Sequence, residues 1–384
     1  GRADPLEAVL DGEGSRIEEL VAAAGHAVNR RVKDQMLNRW GLVKHLDALK
    51  RFLLLGQGDF VETLINTLGP ELSKRASQVY RHNLTGAVDS AVRSSNAARV
   101  YSNDVLERVG VRLLEGSPGD TGWDTFTLDY YVSQPLDGVI NPAAQLSYRR
   151  IFHFLWRIKR VEWQLAEGWR QHMAAAHVRI ERDLPGIRAL LHAASLAQGQ
   201  MVHVASNLSS YVMFEVLETE WRGVAKKIEE ATDMDAMIRA HDVYIHNVFA
   251  KALLLESEAE LAELLRRVLE AIGSFCNCQN ALFADAFGEL ARRRAEARDG
   301  GVSPRSPSIT SPLGPRNLAP STLEGDWDDG VPQRFLDSIR NAASAFEDAL
   351  KRLILALEED TKGAEMLKTM AYRLDFNGYY SRAR

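Results

Sequence analysis

The sequence predicts an all-α protein, an elongated stack of helical bundles with one short β element near residues 124–132. Three observations carry this. Apolar residues recur at steps of three and four over most of the chain, the period of an amphipathic helix. Capping residues, prolines and glycines stand where those patterns begin and end. Strict two-residue alternation is convincing at one place only, where Phe126, Leu128, Tyr130 and Val132 alternate with Thr127, Asp129 and Tyr131.

The elements follow in order. Ile17, Leu20, Val21, Ala24, Val28 and Val32 mark the inward face of a first helix, and Leu42, Val43, Leu46, Leu49 and Phe52 that of a second. Gly56-Gln57-Gly58 reads as a helix-ending turn. Asp59 is the expected N-cap of the next helix, with Glu62 as its reciprocal partner. Gly69-Pro70 is expected to stop that helix and open another, with Leu72, Ala76, Val79, Tyr80, Leu84, Val88 and Val92 facing inward. The strand near 126–132 is bracketed by glycines, Pro118 and Pro135, and must pack on helices because two strands alone are marginal.

Asn141-Pro142 supplies an N-cap and an N1 proline. The helix it opens has no breaker until Leu184-Pro185-Gly186, a span of about 60 Å at 1.5 Å per residue. A second long helix follows, with Ile187, Leu190, Ala194, Met201, Val204, Leu208, Tyr211 and Val212 inward. Thr232-x-x-Asp235 and Ser257-x-x-Glu260 read as capping boxes opening two more. Residues 299–333 hold six of the chain's 12 prolines and few apolar residues, which predicts a disordered Pro/Ser-rich insertion. Helical periodicity resumes with Phe335, Ile339, Phe346, Leu350, Leu353 and Leu357.

Composition excludes several classes. Among 384 residues, 46% are hydrophobic and 26% charged, so a sizeable core is available. A net charge of −5 gives no basic excess for nucleic acid. No apolar run approaches the ~20 residues that span a bilayer, so no membrane association is expected. The start, Gly1-Arg2-Ala3-Asp4-Pro5, is not a signal peptide, and without a Met it is expected to belong to a longer protein. The two cysteines, Cys276 and Cys278, are too few for a stapled secreted fold and read as reduced, partly buried thiols. The sequons at Asn83 and Asn207 fall on helices as chance matches.

No motif argues for catalysis. Gly56-Gln57-Gly58 lacks the spacing of a phosphate-binding loop, and no GxxxxGK[ST] occurs. Asp120-Thr121-Gly122 matches an aspartic-protease triplet, but that chemistry needs two carboxylates sharing a proton; a turn is the better reading. His172 and His177, like His241 and His246, are five apart, where helical zinc ligands stand three or four apart. His153, His192 and His203 read as ordinary helix histidines. Neither a metal nor a cofactor is expected. Residues 149–188 carry nine Lys/Arg against four acids, either a solvated face or a surface for an acidic protein. Trp156 and Trp163 share a helical face and read as core, with Trp169 in the same helix.

Several ordered segments together resemble a known family. They are Leu53-Leu54-Leu55-Gly56-Gln57-Gly58-Asp59-Phe60, His82-Asn83-Leu84-Thr85-Gly86, Asp120-Thr121-Gly122-Trp123-Asp124, Leu128-Asp129-Tyr130 and Phe152-His153-Phe154-Leu155-Trp156-Arg157-Ile158-Lys159-Arg160. Met213-Phe214-Glu215-Val216-Leu217-Glu218 and Tyr372-Arg373-Leu374-Asp375-Phe376-Asn377-Gly378-Tyr379-Tyr380 complete the set. From about residue 40 to 380 the chain is similar to the C-terminal half of the gamma-tubulin complex components, most of all the component 3 branch.

The resemblance implies a non-enzymatic scaffold. Its helical C-terminal domain would bind gamma-tubulin, and a preceding N-terminal domain would make lateral contacts and hold the component 2 partner. It implies a place in the cytoplasm and cytoskeleton, at a microtubule-organizing center such as a centrosome or spindle pole body. A different helical interaction protein, such as a vesicle-tether subunit, would share the long helices but not the ordered motifs. On this reading residues 1–110 are helical bundles at the junction with the N-terminal domain. Residues 111–298 are the gamma-tubulin-binding domain, 299–333 the insertion, and 334–384 its closing helices. Candidate partner contacts are Trp123, Asp124 and Tyr130 in the non-helical element, and Arg149, Arg150, Arg157 and Arg160 in the basic stretch. Arg373, Asp375, Asn377, Tyr379 and Tyr380 are candidates at the C-terminus, where a structural, folded-back role is favoured. Ser303, Ser306 and Ser311 each precede proline and are candidate phosphorylation sites.

Overall fold

The computed structural model describes residues 5–299, 327, 330–359 and 366–382. These are overwhelmingly helical, with one two-stranded antiparallel sheet among the described residues. The chain divides into two compact units. The first comprises 1–155 and 212–252, the second 156–211 and 253–384.

In the first unit, helix Leu42–Phe52 buries Leu42, Leu46, Leu49 and Phe52 along one stripe. Leu53, Leu54 and Leu55 after it are also buried. The turn that ends it sends the Gly56 and Gln57 amides back to the Lys50 and Arg51 carbonyls. A Cβ on Gly56 would lie 3.0 Å from the Lys50 carbonyl oxygen, so this return leaves little room for a side chain.

Helix Gly58–Leu72 departs from expectation at both ends. Gln57, not Asp59, is its N-cap residue. Asp59 lies inside the first turn. Its carboxylate accepts the amides of Asn96 at 2.6 Å and Phe60 at 2.9 Å, and the Asn96 bond leads in holding its pKa below the usual range. Pro70 sits within the helix instead of ending it. Two residues from the end, its missing N–H costs one bond, and the helix closes on Ser73, whose amide and hydroxyl both reach the Gly69 carbonyl. The next helix, Arg81–Ser94, therefore begins later than the sequence suggests. Tyr80, expected inward, is 58% exposed, while Leu84, Val88 and Val92 are buried.

The first helix, Pro5–Asp34, is where it was expected, but its apolar stripe is not inward. Leu20, Val21 and Val28 are each at least 60% exposed. Periodicity shows that a helix has an apolar face; it does not supply the surface that covers it.

Strand β2 (Phe126–Tyr130) forms as the alternation requires, paired antiparallel with β1 (Val109–Leu113). Val109 faces Tyr130 and Leu113 faces Phe126. Phe126, Leu128 and Tyr130 are buried on one side.

Asn141 caps helix Pro142–His177 as expected, its Oδ1 accepting the Ala144 amide at 2.8 Å. The helix stops at His177, about 54 Å long and short of Asp183, because Arg179 turns to positive φ and a 3₁₀ turn, Ile180–Arg182, buries Ile180. The division between the two units falls within this helix. Two capping expectations are corrected. Asp233, not Thr232, caps Met234–Lys251, accepting the Ala236 amide at 2.7 Å. Helix Ala259–Asp299 begins beyond a 3₁₀ turn, Glu256–Glu258, so Ser257 is not its cap.

Ile187–Ser210 does not simply end. It passes into a π-helical segment, Tyr211–Glu218, and then into Thr219–Glu230. Tyr211, Val212, Val216 and Leu217 are buried, a five-residue recurrence that suits the wider turn. Phe214 between them is 67% exposed.

In the second unit, Ala259–Asp299 and Gln333–Glu359 pair along their apolar faces, with Val268, Ile272, Phe275 and Phe283 meeting a core that includes Phe346, Leu350 and Leu353. Met366–Leu374 packs on Ile187–Ser210 and on Gln333–Glu359. A buried amide pair ties three helices: Gln198 donates to the Leu165 carbonyl at 2.7 Å and accepts from Gln279 at 3.0 Å. Cys276 is buried and Cys278 half-buried, both free thiols. Burial pushes the Cys276 thiol up to about 12.

The expected insertion at 299–333, with Ser303, Ser306 and Ser311, lies outside the described residues except at its edges and at Trp327. Trp327 is buried, donating from Nε1 to Asp285 Oδ2 at 2.8 Å, while its carbonyl accepts from Arg293 at 2.9 Å.

Candidate functional site

The non-helical element of the first unit is assembled from the turn outward. Asp120 Oδ2 accepts the Ser117 amide at 2.6 Å, which fixes the turn expected from the sequence. Thr121 then caps the short helix Gly122–Thr125 through a capping box, its amide and hydroxyl both donating to Asp124 Oδ2. Asp124 is exposed but spends one oxygen on this cap. Gly122 is required by contact: a Cβ there would lie 2.8 Å from the Leu72 Cα and 2.9 Å from a Val79 methyl. Trp123 follows and is buried, its Nε1 3.4 Å from the Ser73 hydroxyl.

Tyr130 is also buried, and its hydroxyl shares a 2.6 Å hydrogen bond with His45 Nδ1. Burial, then the nearby Arg108 charge, holds the His45 pKa below its ordinary value. Burial also drives the Tyr130 hydroxyl well above its ordinary range. Both therefore stay neutral near pH 7, as a structural pair. Trp123 and Tyr130 thus face the core of this unit, and Asp124 its surface.

The residue between them behaves differently. Asp129 lies on the opposite side of the strand from Tyr130. Its Oδ1 is 3.4 Å from Arg149, and its Oδ2 is 3.8 Å from Arg112. The structure brings Arg149 to the hairpin, and it adds Arg112, which the sequence reading passed over. The signal was the alternation itself: if Leu128 and Tyr130 point inward, Asp129 must point out. Arg150 is exposed, its guanidinium 5.0 Å from the Phe249 ring.

The other candidates belong to the second unit. Arg157 is exposed and Arg160 half-buried. Trp156 is buried, whereas Trp169 is 52% exposed and stacks on His172. At the C-terminus, Asp375 accepts the amides of Tyr380 at 3.2 Å and Ser381 at 2.8 Å, folding the last turn back on itself. Tyr380 is buried; Asn377 and Tyr379 are exposed, and Arg373 is half-buried.

A cleft of about 480 Å³ lies in the second unit, lined by Leu165, Ala166, Trp169, Gln198, Gly199 and Val202 among others. Its walls are mainly apolar, and Glu162 is the titratable side chain among its lining residues. Among the described residues, no group of three His, Cys, Asp or Glu side chains could hold a metal ion. No helix among them is long and apolar enough to cross a membrane.

The chain is similar to several known proteins. The family model described as gamma tubulin complex component C-terminal matches residues 42–380. The chain is 34% identical over 386 residues to the gamma-tubulin complex component 3 homolog of Xenopus laevis, covering 98% of this chain and 41% of that protein. It is 33% identical to gamma-tubulin complex component 3 of Homo sapiens, over 94% of this chain and 39% of the relative. It is 39% identical to spindle pole body component 98 of Dictyostelium discoideum, over 69% of this chain and 32% of the relative. The chain thus spans about two fifths or less of the length of these relatives.

Proposed function

We propose a function on one premise: this chain belongs to the gamma-tubulin complex component family. On that premise it is a region of a gamma-tubulin complex subunit that docks gamma-tubulin and, within the assembled complex, supports microtubule nucleation at a microtubule-organizing center. The observation that carries the reading is the family match from residue 42 to 380, together with 34% identity to a component 3 homolog over 98% of this chain. Its chemistry is that of a scaffold rather than an enzyme. Holding several subunits in lattice geometry removes the entropic cost of the first assembly steps, and linked binding raises the effective concentration of each addition.

Within this reading the contacts fall to exposed and half-buried side chains. Arg149 and Arg150 serve in the first unit. Arg157, Arg160, Arg373, Asn377 and Tyr379 serve in the second. Trp123, Tyr130 and Tyr380 hold the framework behind them. A component 2 subunit would be engaged by the part of the longer relatives that this chain does not span.

The test is sedimentation of the chain with purified gamma-tubulin near physiological salt. Co-sedimentation is expected, without microtubule nucleation by the pair alone. No association over a range of salt overturns the reading, and robust nucleation by the pair overturns its division of labour.

A further inference from the structure

We propose that the outer face of the β1–β2 hairpin is a docking notch for a carboxylate-rich segment of a protein partner. The inference rests on the reading that this chain docks such a partner, and it names the chemistry of one contact. The register places Gly110 across from Asp129 and Arg112 across from Thr127, all on the face opposite Val111, Leu128 and Tyr130; Thr127 is itself buried, so the open part of this face is Gly110, Arg112 and Asp129. Tyr131 continues that face beyond β2, its amide donating to the Arg108 carbonyl at 2.8 Å, and it is 70% exposed.

Shape comes from Gly110. Nothing lies within 4 Å of where its Cβ would be. The centre of the face is therefore bare backbone. Arg112 stands on one strand beside it, and Asp129 and Tyr131 on the other. The backbone is held firm from behind by Phe126, Leu128 and Tyr130, so a ligand meets a preformed surface and little ordering entropy is lost.

Charge comes from an unequal pairing. Asp129 Oδ1 already accepts the Tyr130 amide at 3.1 Å and lies 3.4 Å from Arg149. Only Oδ2 remains for Arg112, at 3.8 Å, beyond hydrogen-bond distance. Two guanidinium groups thus share one carboxylate, and among the described residues no second carboxylate reaches either. The Arg112 side chain is 56% exposed. Its planar fork matches a carboxylate in bidentate geometry, and an incoming Asp or Glu can take it without displacing Arg149 from Asp129. One uncompensated charge on a chain of net charge −5 suits an acidic protein segment better than a polyanion such as nucleic acid.

The experiment uses two variants. Arg112→Gln removes the charge. Gly110→Val fills the notch with a residue suited to a strand, in space that is open, so the hairpin keeps its fold. A fluorescein-labelled octa-glutamate peptide is titrated with each protein by anisotropy at low and moderate salt, and gamma-tubulin binding is measured in parallel. Each variant is expected to weaken peptide binding about fivefold, the scale of one partly exposed charge pair, with Arg112→Gln also flattening the salt dependence. Wild-type protein that ignores the peptide, or variants that bind it as wild type does, overturn the notch. The two readings separate cleanly. Peptide binding that responds to both variants while gamma-tubulin fails to bind sinks the proposed function and leaves the notch. Intact gamma-tubulin binding with indifferent variants does the reverse.

Discussion

Replacing His241 with Gln will remove most of one acid-sensitive contribution to the first unit's stability. His241 is 1% exposed, and its Nε2 lies 3.0 Å from the Tyr148 hydroxyl, which is itself buried. The rings stack at 5.8 Å. Burial lowers the His241 pKa from 6.5 to about 4, because the imidazolium form cannot be solvated there. The unfolded chain therefore binds a proton between these values when the folded one does not. Stability is fully present above pH 6.5, falls as pH drops, and is lost through pH 4. Integrating the two titrations gives about 2–3 kcal/mol lost near pH 4.5 relative to pH 8. Gln keeps a polar partner for Tyr148 and never titrates. Two units make a single unfolding midpoint ambiguous, so the measurement is amide hydrogen exchange within helix Met234–Lys251. Carboxylates titrate alike in both proteins, so the wild-type protection should fall by about 2–3 kcal/mol more than that of the variant. An NMR titration of the ring should give the same low pKa. Equal pH slopes in the two proteins, or a ring that titrates near its ordinary value, would refute the reasoning.

Two further predictions concern residues held by contact. Trp327→Phe keeps the ring against Phe335 but loses the bond to Asp285, which retains Arg334 at 3.1 Å; the cost should be about 1–2 kcal/mol, against about 3–5 kcal/mol for Trp327→Ala. Amide-exchange protection of helix Gln333–Glu359 in the Ala variant within about 0.5 kcal/mol of wild type would show that this side chain is not anchored. Gly122→Ala places a methyl 2.8 Å from the Leu72 Cα and should cost about 1–3 kcal/mol. Unchanged amide-exchange protection of helix Gly58–Leu72 would contradict the close approach.

The sequence exposes helices well because their signal is periodic and local. Leu42, Leu46, Leu49 and Phe52 lie in one stripe because 3.6 residues make a turn, whatever surrounds them. Ends are harder to read, because several groups compete for the same orphan amides. Asp59 has the right side chain for a cap, yet the Asn96 amide, 37 positions on, claims its carboxylate. Pro70 lies so near its helix end that losing one donor does not stop the helix. The π segment at Tyr211–Glu218 gives no simple signal, since its five-residue recurrence blurs into the flanking helical pattern. The site was less legible still. Trp123 and Tyr130 stand out as aromatics in a loop-rich region, but the partners that bury them, Ser73 and His45, come from distant parts of the chain. Arg112 was hidden for the opposite reason. Its strand, Val-Gly-Val-Arg-Leu, is short and contains glycine, so only pairing with β2 identifies it as a strand.

The hairpin shows how one short element serves both purposes. Two strands alone are marginal in water, so this pair persists because Phe126, Leu128 and Tyr130 on one side, and Thr127 on the other, are buried. Fully burying a side chain the size of Phe126 or Leu128 contributes about 1.5–3 kcal/mol, and both are 0% exposed. Tyr130 adds the bond to His45, which stays neutral and therefore constant across physiological pH. The inward residues fix the backbone, and the two-residue period then obliges Asp129 and Arg112 to face the other way. Each strand residue has its role set by parity. A single-residue slip of β2 would turn Asp129 inward and Phe126, Leu128 and Tyr130 outward, a cost the hydrophobic side alone makes prohibitive. The same burial that stabilises the hairpin therefore holds the Arg112–Asp129–Arg149 surface in a fixed arrangement, which is what an electrostatic contact with a partner requires.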